Sequence, residues 1–354
     1  MATTRVVGLD IGTTRLRAAE LEFGAGGPSG KSPARLLRFA EVPLPHGAVR
    51  DGEVTEPGVV SGMLRQMWQQ AGFSTKKVVI GVGNQRVVVR ELDLPWMPLA
   101  QLRASLPFQV KELLPMATDE ALLDYYPTGE HETDTGRTFR GMLVAAQRDT
   151  VNANVLTAEG AGLETVMVDL NGFALLRSMI RGDLANQCVG LVDVGASITN
   201  IVIVDHGVPR LVRVLPAGGM NVTTAVASAM GIAAAEAETM KREIGIGHAV
   251  GPERAAAAEA ITGVTQTLIE AIRNTFVYYQ GNNPGAGIDV ALLTGGGAHL
   301  PGFGQYLASA SRLPVALGDP LAGLKLGKNL DRARLAGAES LVALSVGLAF
   351  GVAA

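Results

Sequence analysis

Two segments of this chain share one unusual form. Val7-Gly8-Leu9-Asp10-Ile11-Gly12-Thr13-Thr14 and Leu191-Val192-Asp193-Val194-Gly195-Ala196-Ser197 each run an apolar strand into an Asp, an apolar residue, a Gly and then hydroxyl residues. A third glycine cluster, Leu292-Leu293-Thr294-Gly295-Gly296-Gly297-Ala298, follows in the last third. A strand that ends this way must turn tightly at its glycine, where a missing Cβ lets backbone amides approach an anion. Repeating the device implies two similar half-domains that clamp a nucleotide, each contributing one aspartate near its metal ion and phosphates.

The length allows this. At 354 residues and 47% apolar residues, the chain exceeds what one compact core usually holds, and two lobes follow. A net charge of −3 and dispersed Lys and Arg exclude a polyanion-wrapping surface, so nucleic acid is not an expected partner. The lone Cys188 cannot form an internal disulfide and reads as a buried, inert thiol. The N-terminus enters a strand directly, without the pattern of a secretion signal. The apolar run Leu341 to Ala354 is shorter than the roughly 20 residues a spanning helix needs. It is expected to be a buried closing helix.

Along the chain, strands are expected at Val6 to Asp10, Leu16 to Phe23 and Arg35 to Val42, as an antiparallel meander. A helix over Pro57 to Ala71 follows, with Val59, Val60, Met63, Leu64, Met67 and Trp68 at helical spacing. Lys77 to Val82 reads as a buried strand. From 84 to 164 the texture changes: a strand at Arg86 to Arg90, a Pro-punctuated helical stretch, a polar loop from Gly129 to Arg137 and a strand from Phe139 to Ala146. This segment reads as an inserted α+β subdomain. Cys188 to Val204 and Val208 to Leu215 then restart the N-terminal pattern as a diverged repeat. The expected division is 1–83 with 165–187 as the first lobe core, 84–164 as the insert, 188–217 with 285–354 as the second lobe core and 218–284 as a helical subdomain. The last helix should pack back toward the first lobe.

Asp10 and Asp193 are placed to hold magnesium, which keeps several waters and takes a carboxylate or two plus phosphate oxygens. Gly12 and Gly195 mark the turns; Thr13, Thr14 and Ser197 add hydroxyl donors. Gly295, Gly296 and Gly297 follow a buried strand and are expected to lie against the sugar and α-phosphate. Gly219 begins another anion-facing helix start. Glu238 and Lys241, three apart on a helix, are neighbours. They read either as a solvated ion-pair face or as a ribose contact with a lysine flanking the base.

These residues resemble the actin-like ATPase superfamily, and within it the PilM family of type IV pilus assembly proteins and then the FtsA family. The likeness is carried by Gly8 to Thr14 with Ala18-Ala19-Glu20-Leu21, by Leu94-Pro95-Trp96-Met97-Pro98 leading to Leu122-Leu123-Asp124-Tyr125, and by Val168 to Leu175. Val192 to Gly195, Glu236-Ala237-Glu238 with Lys241, and Leu293 to Ala298 complete it. The resemblance implies an α/β fold of two ribonuclease-H-like lobes with the small α+β insert in the first lobe, and ATP with Mg2+ between the lobes. It also implies a groove between the insert and the first lobe for the short cytoplasmic tail of a PilN-like single-span inner-membrane protein. The chain would then be a cytoplasmic scaffold of the pilus platform in twitching motility, recruited to the membrane by its partner, touching other platform components and turning over ATP at most slowly. The carried-over residues are Asp10, Gly12, Thr13, Thr14, Asp193, Gly195, Ser197, Gly219, Glu238, Lys241, Gly295, Gly296 and Gly297. Arg15 and Arg17 depart from a common lysine, and Ala196 replaces a frequent hydroxyl residue.

Two other readings fit the same fold. In a sugar or acetate kinase a carboxylate would deprotonate a substrate hydroxyl, and Asp169, at a strand end before a helix, is the catalytic candidate. Its alternative is a helix-capping aspartate. The third reading is an FtsA-like filament-forming protein.

Overall fold

The computed structural model describes residues 3–29, 32–134, 136–248, 250–328, 330, 333 and 335–351. The meander consists of β1 (Thr4–Ile11), β2 (Arg15–Phe23) and β3 (Arg35–Pro43). A short hairpin, β4 (Val49–Arg50) and β5 (Glu53–Val54), leads to α1 (Pro57–Ala71) and β6 (Lys77–Val82). Helix α1 starts on a proline whose missing amide hydrogen costs nothing there, buries Val60, Leu64 and Met67, and stops at Gly72 in the left-handed region. Next come β7 (Val87–Pro95), α2 (Leu99–Gln109), β8 (Ala121–Thr133), β9 (Gly136–Gln147) and α3 (Arg148–Gly160), then β10 (Glu164–Leu170) and α4 (Asn171–Met179).

The pattern restarts with β11 (Cys188–Val194), β12 (Thr199–Asp205) and β13 (Val208–Leu215). Three helices follow: α5 (Gly219–Met230), α6 (Ala234–Ile244) and α7 (Ala255–Asn282). The chain continues with β14 (Val290–Thr294), α8 (Phe303–Ser311), β15 (Val315–Leu317), β16 (Lys325–Leu326) and α9 (Ala343–Ala349).

The sheets make the repeat explicit. One sheet runs β10-β6-β1-β2-β3-β16 and the other β15-β14-β11-β12-β13. In each, the central strand pairs antiparallel with the next strand of its meander and parallel with a strand that returns after helices. All seven residues of β11 are buried, as expected of a strand covered on both faces. One apolar core, including Leu175, Leu191, Val202 and Val346, runs between the sheets. A second, under α5 and α7, is built on Val192, Val226, Ile272 and Phe276.

A three-stranded sheet, β7-β9-β8, is separate from the two larger sheets. The polar loop expected from Gly129 to Arg137 is instead a continuation of its hairpin, with β8 and β9 paired from Ala121↔Gln147 out to Thr133↔Gly136. Gly, Glu and His are poor strand formers, but cross-strand pairing decides. Arg137 pairs with Glu130 and the Thr133 hydroxyl donates to the Gly136 carbonyl at 2.8 Å. The strand expected at Arg86 to Arg90 runs on to Pro95 for the same reason.

Within the apolar C-terminal run, Ala343–Ala349 form the helix α9, every residue of which is enclosed and which packs on β1, β2 and α4; residues 352–354 of that run lie outside the described residues. Strand β16 joins the first sheet beside β3. The tail of the chain therefore crosses back onto the sheet where it began. Among the described residues no helix is long and apolar enough to cross a membrane.

Candidate nucleotide site

The two repeated segments fold alike to the level of single hydrogen bonds. The Gly12 amide donates to the Arg15 carbonyl at 3.0 Å, and the Gly195 amide to the Ile198 carbonyl at 2.9 Å. Register places Asp10 opposite Arg17 and Asp193 opposite Asn200. Each aspartate thus leaves its strand just before the turn, and the two turns face each other across a cleft of about 470 Å3. Asp10, Gly12, Thr13, Thr14, Asp193, Gly195, Gly219, Glu238, Lys241, Gly295, Gly296 and Gly297 all line it. Ser197 sits behind the wall, its hydroxyl 2.6 Å from that of Thr13.

Electrostatics mark this cleft. Burial raises the Asp10 carboxyl to about 6, opposed by the Arg17 guanidinium, whose Nη1 lies 3.8 Å from Asp10 Oδ2. Burial also raises Asp193 to about 7, the charge of Asp10 adds to it, and a hydrogen bond from Asn200 opposes it. Two carboxylates that disfavour each other's charge, amid hydroxyl groups, form a hard-oxygen donor set suited to a divalent cation. No cluster of three or more His, Cys, Asp or Glu occurs among the described residues, so a cation held here would complete its shell with water or ligand oxygens.

Gly295 has φ +82°, and a Cβ there would lie 2.5 Å from the Val194 carbonyl and 2.6 Å from Asp193 Oδ1. Only glycine allows the third cluster to press against the second aspartate's strand. Gly296 has nothing within 4 Å of its Cβ position and presents bare backbone.

Lys241 is buried, and its three ammonium protons are all committed: to the Gly219 carbonyl at 3.1 Å, Thr223 Oγ1 at 2.9 Å and Glu238 Oε2 at 2.5 Å. It acts as a strut between α6 and the start of α5. Burial lowers its pKa, with Glu238 opposing. Burial raises Glu238, but hydrogen bonds from Lys241, Thr223 and Arg242 outweigh it and the carboxyl is shifted down.

Asp169 does not join the cleft lining. Its Oδ1 accepts from the Leu170 amide at 2.8 Å and its Oδ2 pairs with Arg177. Leu170 occupies the cap position of α4, so Asp169 is not that helix's capping residue. Arg15 and Arg17 do line the cleft. Glu41 on β3 holds both, at 2.8 Å each. Cys188 is buried and its thiol is pushed up to about 11, mainly by that burial.

Sequence reasoning did not assign Asn154 and Asn171. Both line the cleft, and each has a buried Oδ1 without a hydrogen-bond partner. Asn171 stood in a quoted motif with no chemistry attached, and Asn154 lies on α3 with no local signal.

The family model described as "Type IV pilus assembly protein PilM" matches residues 8–352. A solved chain of a PilM-PilN type IV pilus biogenesis complex is 24% identical, with 99% of this chain and 98% of that chain covered at a TM-score of 0.85. MreB 5 of Spiroplasma citri, solved bound to AMPPNP, is 13% identical with 98% and 95% covered at 0.52. The cell division protein FtsA of Bacillus subtilis (strain 168) is 21% identical over 224 residues, 57% of this chain and 51% of FtsA. The chain thus spans about half the length of that curated relative. These similarities establish an actin-like ATPase fold.

Proposed function

The chain belongs to the family of type IV pilus assembly proteins represented by PilM, and from that membership we propose an ATP-binding scaffold of the pilus inner-membrane platform that takes the cytoplasmic tail of a PilN-like membrane protein. The observation that carries the nucleotide half is the convergence of two aspartates, one from each repeat, with the Gly295 to Gly297 turn on one cleft. Asp10 and Asp193 would hold Mg2+, partly through water. Thr13, Thr14 and the amides of the two turns would meet phosphate oxygens, and Glu238 the ribose. When bound, the cation neutralises the charge of the phosphates. The residues of this chain orient the nucleotide and tie the lobes together around it.

Turnover is proposed to be slow. Asp169, the carboxylate a kinase reading would use, is committed to Arg177, and the two buried side-chain atoms of the cleft that lack a hydrogen-bond partner among the described residues, Asn154 Oδ1 and Asn171 Oδ1, are carboxamide oxygens rather than bases. A rapid steady-state ATPase rate abolished by Asp193→Ala would overturn this.

The partner half rests on the family and on the solved PilM-PilN complex to which this chain is similar. Residues 84–164 are read as the insert whose boundary with the first lobe forms the groove, and recruitment to the inner face of the membrane would follow from the partner. The test is calorimetric titration against the cytoplasmic tail of the single-span protein encoded beside this chain, with and without ATP and Mg2+. Micromolar binding that depends on nucleotide supports a coupled scaffold. No binding in either state would leave an ATP-binding actin-like protein without this partner.

A further inference from the structure

Helix α2 is apolar on two opposite sides. Leu102, Leu106 and Val110 are buried in a small core with Leu94, Tyr125, Phe139 and Leu143 of the β7-β9-β8 sheet. The other face of that sheet, through Met142 and Ala146, joins the core shared with the first lobe. Helix α2 therefore lies on the side of the sheet turned away from the lobe, and its free side looks outward. On that side stand Ala100, Ala104 and Phe108, all exposed and spaced four apart, so they form one row. Phe108 is 85% exposed, the highest value among the large apolar side chains described. Trp96 and Leu113, also exposed, stand beyond the two ends of the helix. Single apolar residues on a surface are ordinary, but a row flanked at both ends marks a face that another molecule covers.

The row and its flanking charges are self-complementary. When two copies pack α2 antiparallel about a twofold axis at Ala104, each Phe108 lies over Ala100 of the other copy, a large side chain over a small one. Glu112 then falls about 12 Å from the axis, at the helical rise of roughly 1.5 Å per residue, level with Trp96 of the other copy. The Arg137 guanidinium is held over that indole ring, 5.0 Å from its centroid. Glu112 is exposed and has no ion-pair partner among the described residues. The axis thus brings an unpaired acid to an exposed cation at both ends of the contact.

We propose that the outer face of α2 is a homodimer contact, in which a second copy of this chain seats Phe108 on Ala100 and pairs Glu112 with Arg137. A twofold contact of this kind is closed, so assembly stops at two copies. It offers fewer side chains than the roughly 20–30 per partner of a standard interface, which makes a micromolar rather than a nanomolar dimer the expectation. The contact leaves free both the cleft and the boundary between the β7-β9-β8 sheet and the first lobe.

The experiment is sedimentation of the full chain across the micromolar range. The wild-type protein should pass from monomer to dimer and no further. Phe108→Lys should stay monomeric with the melting temperature of the monomer unchanged, because the side chain meets solvent rather than core. Glu112→Arg should weaken the dimer about threefold to tenfold, as attraction between exposed charges turns to repulsion. Adding Arg137→Glu to that variant should recover the wild-type affinity; if the pair of changes disturbs the hairpin, Phe108→Lys and Glu112→Arg decide the matter alone. A wild-type chain that stays monomeric, or that grows past the dimer, overturns the proposal and leaves this face to a different protein. A dimer that Phe108→Lys leaves intact also overturns it, since its interface then lies elsewhere.

Discussion

Thr13 Oγ1 lies 2.6 Å from Ser197 Oγ, a hydrogen bond between hydroxyls 184 residues apart that ties the turn of one repeat to the turn of the other. It joins two lobes whose strands belong to different sheets. It also orients a threonine that lines the cleft.

Thr13→Ala and Ser197→Ala should each lower the unfolding free energy by about 0.5–1.5 kcal/mol, the net value of such a bond. The double variant should lose less than the sum, because the two share one interaction. Urea denaturation of the four proteins measures this, and strictly additive losses would mean the hydroxyls do not interact in solution.

The aspartate pair predicts an unusual pH dependence. Asp193 sits at about 7 in the folded protein, raised by burial and by Asp10, against about 3.9 in an unfolded chain. Between these values the native state binds more protons than the unfolded state, so stability falls as pH rises. The contribution is complete below about pH 4 and lost as pH passes about 7. In EDTA, Asp193→Asn should melt higher than wild type at pH 8, with the gap closing toward pH 5. The same variant should lose Mg2+-dependent ATP binding. A variant less stable than wild type at pH 8 would reverse the sign of the argument.

Lys241→Ala removes a strut and leaves Thr223 and Glu238 facing each other without it. A loss of about 1–3 kcal/mol is expected, the range for breaking a partly buried charged hydrogen bond, discounted because Glu238 is about one-third exposed. Thermal melting reads this directly, and a loss near zero would mean that Lys241 is a solvated surface cation rather than a brace.

Adjacent glycines should behave differently. Gly295→Ala forces a Cβ into the Val194 carbonyl at a positive φ and should cost at least about 1–3 kcal/mol. Gly296→Ala meets no protein atom within 4 Å, so its melting temperature should stay within a degree or two of wild type, on the scale of surface substitutions, while nucleotide affinity drops. Equal melting shifts in the two variants would contradict the geometry.

Much of this architecture was readable because its signals are local. Helix α1 was bounded by its proline and its apolar spacing, and the two turns by strings of the same form that the structure resolves into equivalent hydrogen bonds. The β8–β9 hairpin was not readable past Gly129, since its outer half is held by partners on the opposite strand rather than by strand-forming residues. Asp169 looked available because its neighbours in sequence are strand and helix. Arg177, two helical turns on, and the backbone of Gly347, near the C-terminus, occupy that corner together.

The sequence by itself determined that there are two repeats, where each turns, and which aspartates, hydroxyls and glycines stand at the turns, because strand alternation, helical spacing and glycine turns act over a few residues. Only the tertiary structure decided that Lys241 is spent on Gly219, Thr223 and Glu238, and that Thr13 reaches Ser197. Those outcomes depend on which donors and acceptors packing brings within about 3 Å, a hydrogen bond's reach, and no local stretch of chain encodes that distance.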